Sequence, residues 1–183
     1  RKKDLGLRMA DTLLAKAKAA HDIKAQCIAL FTKNRYFLYN NLIDKANSEF
    51  KLVSPFILST PYKQYFYGMW EGIIYYYINH KQQKEGYQEI SLFGKHAMTT
   101  KFGFGLMRYY AIEGDLHYQR MSYLLAIQYY LKAVDYGLKD KVPDIYNIYR
   151  QLSLCYLRLH RWKSTEEMLF KCIETSPKGN DFL

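Results

Sequence analysis

Five small residues recur along this chain at nearly constant intervals: Ala10, Ala46, Gly86, Ala126 and Thr165, separated by 36, 40, 40 and 39 residues. Each is followed, 4 and 7 positions on, by a pair that keeps the same stripe: Leu14 and Ala17, Phe50 and Val53, Ile90 and Phe93, Tyr130 and Ala133, Leu169 and Cys172. That spacing places three side chains on one face of an α-helix. A small residue within the stripe lets a second helix come close, so the pattern demands helices packed on helices. Each pair alone leaves an apolar face bare, and stacking neighbouring pairs buries it. The composition agrees. Four prolines and ten glycines are too few for a collagen-like, low-complexity or turn-rich β chain, and 49% apolar residues exclude a disordered polymer. Nineteen tyrosines add a constraint of their own, since large rings must be buried while their hydroxyls find a partner or water.

The segment from Tyr146 to Gly179 carries the pattern most fully. Tyr149, Leu152, Ser153 and Tyr156 make one helical stripe, Thr165, Leu169, Cys172 and Ile173 a second, and Pro177 ends the pair. This resembles the tetratricopeptide repeat (TPR), a helix A with a large residue, a Leu-small pair and an aromatic, facing a helix B with a small residue, an aromatic or Leu and an Ala-like residue. In those terms Ser153 and Thr165 fill the small slots, Cys172 the Ala slot, and Trp162 the aromatic of the intervening turn. The preceding segment repeats the scheme with Gly114, Tyr123, Ala126, Tyr130, Ala133 and Val134, and Ala126-Ile-Gln-Tyr-Tyr-Leu-Lys-Ala133 is close to the family's second-helix signature. Trp70, Ile73, Ile74 and Tyr77 reproduce the helix A spacing once more.

The resemblance implies an all-α fold, a TPR-like α-α superhelix, as one repeat domain over 1–183. It would have about four and a half repeats: a helix B alone at 5–20, then pairs at 23–55, 62–100, 102–138 and 142–176, about nine helices in all. The period is a few residues longer than the usual 34, and the surplus is expected in connecting segments such as Lys139-Asp-Lys-Val-Pro-Asp144. A chain opening on a lone helix B, and on Arg1 without a signal-like leader, reads as a piece of a longer protein.

Catalytic and metal chemistry find no foothold in the pattern. The histidines are scattered, with no H-E-x-x-H and no i, i+4 pair; His117 alone falls in a helix A slot, where a core histidine is expected. Phe102-Gly-Phe-Gly105 and Phe93-Gly-Lys-His96 lack the phosphate-loop spacing, and Glu166-Glu167 are adjacent, so they diverge on a helix surface. Cys27, Cys155 and Cys172 include no C-x-x-C pair; buried thiols are expected, with a Cys155–Cys172 bridge left open. The expected protein is therefore not an enzyme and takes no cofactor or metal. The apolar stretches near Trp70–Ile78 and Tyr123–Leu131 fall short of the ~20 residues a membrane span needs.

A net charge of +10 keeps a nucleic-acid or polyanion partner in view. Its distribution argues against one: residues 1–24 carry seven basic and three acidic groups, but 101–144 are nearly balanced at six against five, and no basic run or recognition motif accompanies the charge. The family's concave-face positions fall on Asn147, Arg150, Leu154, Leu157 and Arg158 in the last repeat, and on Arg108, Ala111, Asp115, Tyr118 and Gln119 before it. The Trp70 repeat supplies Glu71, Tyr75, Ile78 and Asn79. The expected peptide-binding set is Arg108, Tyr118, Asn147, Arg150, Arg158 and Tyr75, an aromatic groove with a basic end suited to an extended peptide bearing acidic groups. Tyr-rich arrays of this long period resemble the sensor or scaffold regions of bacterial two-component and transcription regulators. Peptide-pheromone receptors, whose grooves contain segments similar to Tyr65-Phe-Tyr-Gly-Met69, are the alternative, and a basic nucleic-acid-binding helical domain is the second. The compartment stays open between cytoplasm, which is favoured, and periplasm.

Overall fold

The computed structural model describes residues 3–177, with side chains from residue 5 onward; Gly179, the expected limit of the last segment, lies outside them. Among the described residues there is no strand and there are nine helices: α1 (Lys3–Ala19), α2 (Ile23–Tyr39), α3 (Ile43–Leu58), α4 (Gln64–Asn79), α5 (Gln83–Thr100), α6 (Gly103–Gln119), α7 (Tyr123–Lys139), α8 (Ile145–Arg158) and α9 (Trp162–Thr175). None of them is long and apolar enough to cross a membrane. The five small residues of the register are all buried: Ala46 and Ala126 completely, Ala10, Gly86 and Thr165 nearly so. One boundary differs from the sequence expectation. α3 runs to Leu58, through Pro55, because a proline this near a helix end forfeits a single hydrogen bond while burial of Ile57 holds the last turn down.

The turns carry a regularity of half the repeat. His21, Asn41, Lys81, Lys101, Met121, Lys141 and His160 all have positive φ, between 52° and 61°, about every 20 residues. In six of these turns the positive-φ residue donates its N–H three residues back and the next residue donates five back, as in Met121 to Tyr118 (2.9 Å) and Ser122 to His117 (2.9 Å). This double bond closes a helix end in the Schellman manner. At the α3–α4 turn Pro61 excludes a left-handed residue, and the Thr60 hydroxyl takes over, accepting from Tyr62 N–H at 3.1 Å and donating to Ile57 O at 2.7 Å. Such short turns leave little room for surplus length. The expectation that connecting segments hold it is met by the wider α3–α4 and α7–α8 turns, of five residues each; elsewhere the surplus resides in helices of 16 to 18 residues.

The chain forms two compact units, Arg1–Ser91 and Leu92–Leu183, with the division inside α5. In the first, α1 packs on α2, and α2 on both α3 and α4. Phe37, Leu38, Ala46 and Ile73 form its centre. Phe50, Phe66 and Trp70 form a ring cluster with centroids 5.2 to 5.7 Å apart, and Trp70 Nε1 donates to Glu89 at 2.6 Å.

In the second unit α6 packs on α7, α7 on α8 and α8 on α9 around Met107, Ala126, Tyr130, Ala133, Ile148 and Leu152. Gly114 lets α6 approach α7 closely, since a Cβ there would stand 2.5 Å from the Tyr130 ring. Ser153 and Thr165 are buried at little cost because each hydroxyl bonds its own helix, to Arg150 O (2.7 Å) and Arg161 O (3.0 Å). His117 is half-buried and stacks on Tyr129, 5.0 Å between centroids. Two placements differ from expectation. Trp162 and Tyr123 open α9 and α7 and do not sit in the turns. Leu169 and Ile173, expected inside, are 45% and 71% exposed, because α8 covers one side of α9 and no described element covers the other.

Candidate functional site

The residues expected to bind lie on the first helix of each pair, α4, α6 and α8. In the second unit the register brings part of the set together. Arg158, in the last turn of α8, donates from Nε to the Tyr118 hydroxyl of α6 at 3.4 Å, and Tyr118 sits edge-on to Tyr123 at 5.4 Å. The phenol that accepts from it raises the affinity of this exposed guanidinium for its proton. A second strut joins the same helices: Gln151 Nε2 donates to Asp115 Oδ1 at 3.5 Å, and the Tyr130 hydroxyl donates to that oxygen at 2.5 Å. Burial, then the Asp115 charge, pushes the Tyr130 phenol well above its ordinary value and the Cys155 thiol up to about 12. Tyr130 therefore stays a donor, which keeps the Asp115 carboxylate satisfied in the face between α6 and α8.

The rest of the set is spread along the same face. Arg150 is exposed and forms no ion pair among the described residues; Asn147 and Arg108 are half-buried. Eight residues separate Arg150 from Arg158, about 12 Å along a helix. All three cysteines are free: Cys27 and Cys155 are buried, and Cys172 is partly exposed.

In the first unit Tyr75 lines a cavity of about 190 Å³ together with Arg35, Tyr39, Gly72, Asn79 and His80, between α2 and α4. Arg35 is the group that sequence reasoning missed. Its Nη2 donates to the Tyr39 hydroxyl at 3.0 Å, its guanidinium carbon lies 5.2 Å from the Tyr39 ring centre and 6.0 Å from that of Phe31, and it pairs with no carboxylate among the described residues. Gly72 makes the room, since a Cβ there would meet Leu38 Cδ1 at 2.9 Å and Arg35 Nη1 at 3.1 Å. His80 closes one end, stacked on Tyr76 at 4.0 Å and bridging Tyr76 O (2.8 Å) and Asn41 Oδ1 (3.0 Å). The signal for these residues was present. One 40-residue period before Tyr75 and Asn79 stand Arg35 and Tyr39.

Chemically, each unit by itself offers a planar cationic donor beside phenol rings, an arrangement that takes carboxylates by paired N–H···O bonds and apolar side chains by ring contact. No protein-family model matches this sequence, and no curated protein matches it.

Proposed function

We propose that this chain is a non-enzymatic, TPR-type binding module whose first-helix faces, one in each unit, take extended peptide segments carrying acidic groups. Arg35 carries the reading: a guanidinium with no carboxylate partner, held over two rings at the mouth of a cavity that also includes the sequence-derived Tyr75 and Asn79. A guanidinium beside two rings, with no carboxylate partner among the described residues, is available to pair with an incoming carboxylate. The Arg158 and Tyr118 pair repeats the combination in the second unit. The resemblance of the register to bacterial arrays supports a place in the sensor or scaffold part of a signalling or transcription regulator.

The test is a fluorescence-anisotropy screen of acidic, neutral and basic peptides. Arg35→Gln, and the pair Arg150→Ala with Arg158→Ala, should each weaken the best acidic peptide at least tenfold, the scale of a lost charge-assisted hydrogen bond. Lys16→Ala with Lys18→Ala removes two charges elsewhere and should change it less than threefold if general charge screening is all they contribute. Equal losses from both pairs, or a mixed DNA duplex bound as tightly as any peptide, would overturn the reading in favour of polyanion attraction.

A further inference from the structure

The two turns that join α6 to α7 and α8 to α9 are neighbours in the second unit, linked by the Arg158 to Tyr118 hydrogen bond and the Tyr118–Tyr123 contact. Residues 117–125 and 156–163 contain Arg120, Arg158, His160, Arg161 and Lys163 and no Asp or Glu. The same turns expose large apolar side chains: Met121 at 76%, Trp162 at 63%, Leu124 at 56% and Leu157 at 40%. Met121 is the most telling. It holds a left-handed backbone, φ 59°, where glycine or asparagine is the unstrained choice, and its side chain is left in water. The backbone geometry is common to seven turns and closes the helix end; what sets this one apart is a large apolar side chain left in water where the other left-handed residues are Lys, His or Asn.

We propose that this turn edge docks on an anionic lipid surface. Cationic side chains beside Trp and aliphatic groups match the two layers of a bilayer interface, with Arg and Lys at the headgroups and Met, Leu and indole at the acyl boundary. A single-stranded nucleic acid fits the edge less well, because Met121, Leu124 and Leu157 offer no ring face on which a base stacks. The docking edge centres on Arg120, Met121, Leu124, Arg161, Trp162 and Lys163, none of them in the peptide-binding set; it shares Tyr118 and Arg158 with that set, so within the edge the test varies only Met121, Arg161 and Lys163.

The experiment is co-sedimentation of the protein with vesicles of phosphatidylcholine alone and with 30% phosphatidylglycerol, at two salt concentrations, alongside Trp emission. Trp70 is buried, so a blue shift on vesicle addition reports Trp162. Binding is expected only to the anionic vesicles, weakening with salt. Arg161→Ala with Lys163→Ala should reduce it about 30-fold, which corresponds to about 2 kcal/mol at ~1 kcal/mol per basic residue. Met121→Asp should reduce it further while leaving the urea midpoint unchanged, which separates lost docking from lost folding. Absent vesicle binding, equal binding to neutral vesicles, losses matched by Lys16→Ala with Lys18→Ala, or a Trp response to a single-stranded oligonucleotide in place of vesicles would each overturn the proposal.

Discussion

In the second unit the α7–α8 turn and the two turns at the opposite helix ends share one backbone geometry yet treat their side chains differently. At the α7–α8 turn the residue after the left-handed Lys141 is Val142, 7% exposed, and Ile145 follows it into the core at 5%. Its charges are mixed, Lys139 and Lys141 beside Asp140 and Asp144, and the Asp140 carboxylate lies against Gly103 at the start of α6. The other two turns place Ser122 and Arg161 at the position of Val142 and leave Met121 and Trp162 in solvent. Backbone hydrogen bonding therefore sets the turn, and side-chain choice decides whether the turn is core or surface. One edge is built into the core, and the other leaves its large side chains in water.

Substitution at equivalent positions should break the symmetry most. Val142→Asp buries a carboxylate without a partner and should cost 3 kcal/mol or more by the usual scale of ~3–5 for an uncompensated buried charge, whereas Arg161→Asp should leave the urea midpoint nearly unchanged. Between the edges, Ala126→Leu should overpack the core of the unit and cost about 1–3 kcal/mol, read from the same midpoint. Replacing the left-handed residue is the sharper control. Met121→Gly and Lys141→Gly should each stabilise by roughly 1 kcal/mol, and equally, since both edges carry the same strain. The smallest effect is on reactivity alone: a thiol reagent should modify Cys172 in the native protein, but Cys27 and Cys155 only on unfolding, because both are buried and burial holds the Cys155 thiol protonated up to about pH 12.

The packing register was legible in the sequence because it depends on residue size at fixed intervals. Gly114 under the Tyr130 ring and Ala126 in the core are consequences of that spacing. The turns were not legible, since Lys, His and Met occupy positions where a glycine would have announced a left-handed residue. Leu169 and Ile173 misled for a different reason: their spacing states what the face of α9 suits, and exposure depends on which helix covers it. Of the binding set, the repeat places both Tyr118 and Arg158 on the first-helix face, but their hydrogen bond was not legible, because the 39-residue interval matches Tyr118 with Leu157 and Arg158 with Gln119. Arg35 and Tyr39 obey a 40-residue interval from Tyr75 and Asn79, but α2 has a polar Asn34 buried amid its stripe, which blurs the apolar periodicity that would have set its register.

The most direct test of the central claim is to find where a ligand lies. An acidic peptide carrying a photoreactive benzophenone, chosen from the anisotropy screen, can be cross-linked to the protein and its adducts mapped by mass spectrometry. The first-helix account predicts adducts on α2, α4, α6 and α8, close to Arg35, Tyr75, Tyr118 and Arg150, and their loss with excess unlabelled peptide. Adducts concentrated on α7 and α9, or spread evenly over the basic surface and removed by salt alone, would contradict it.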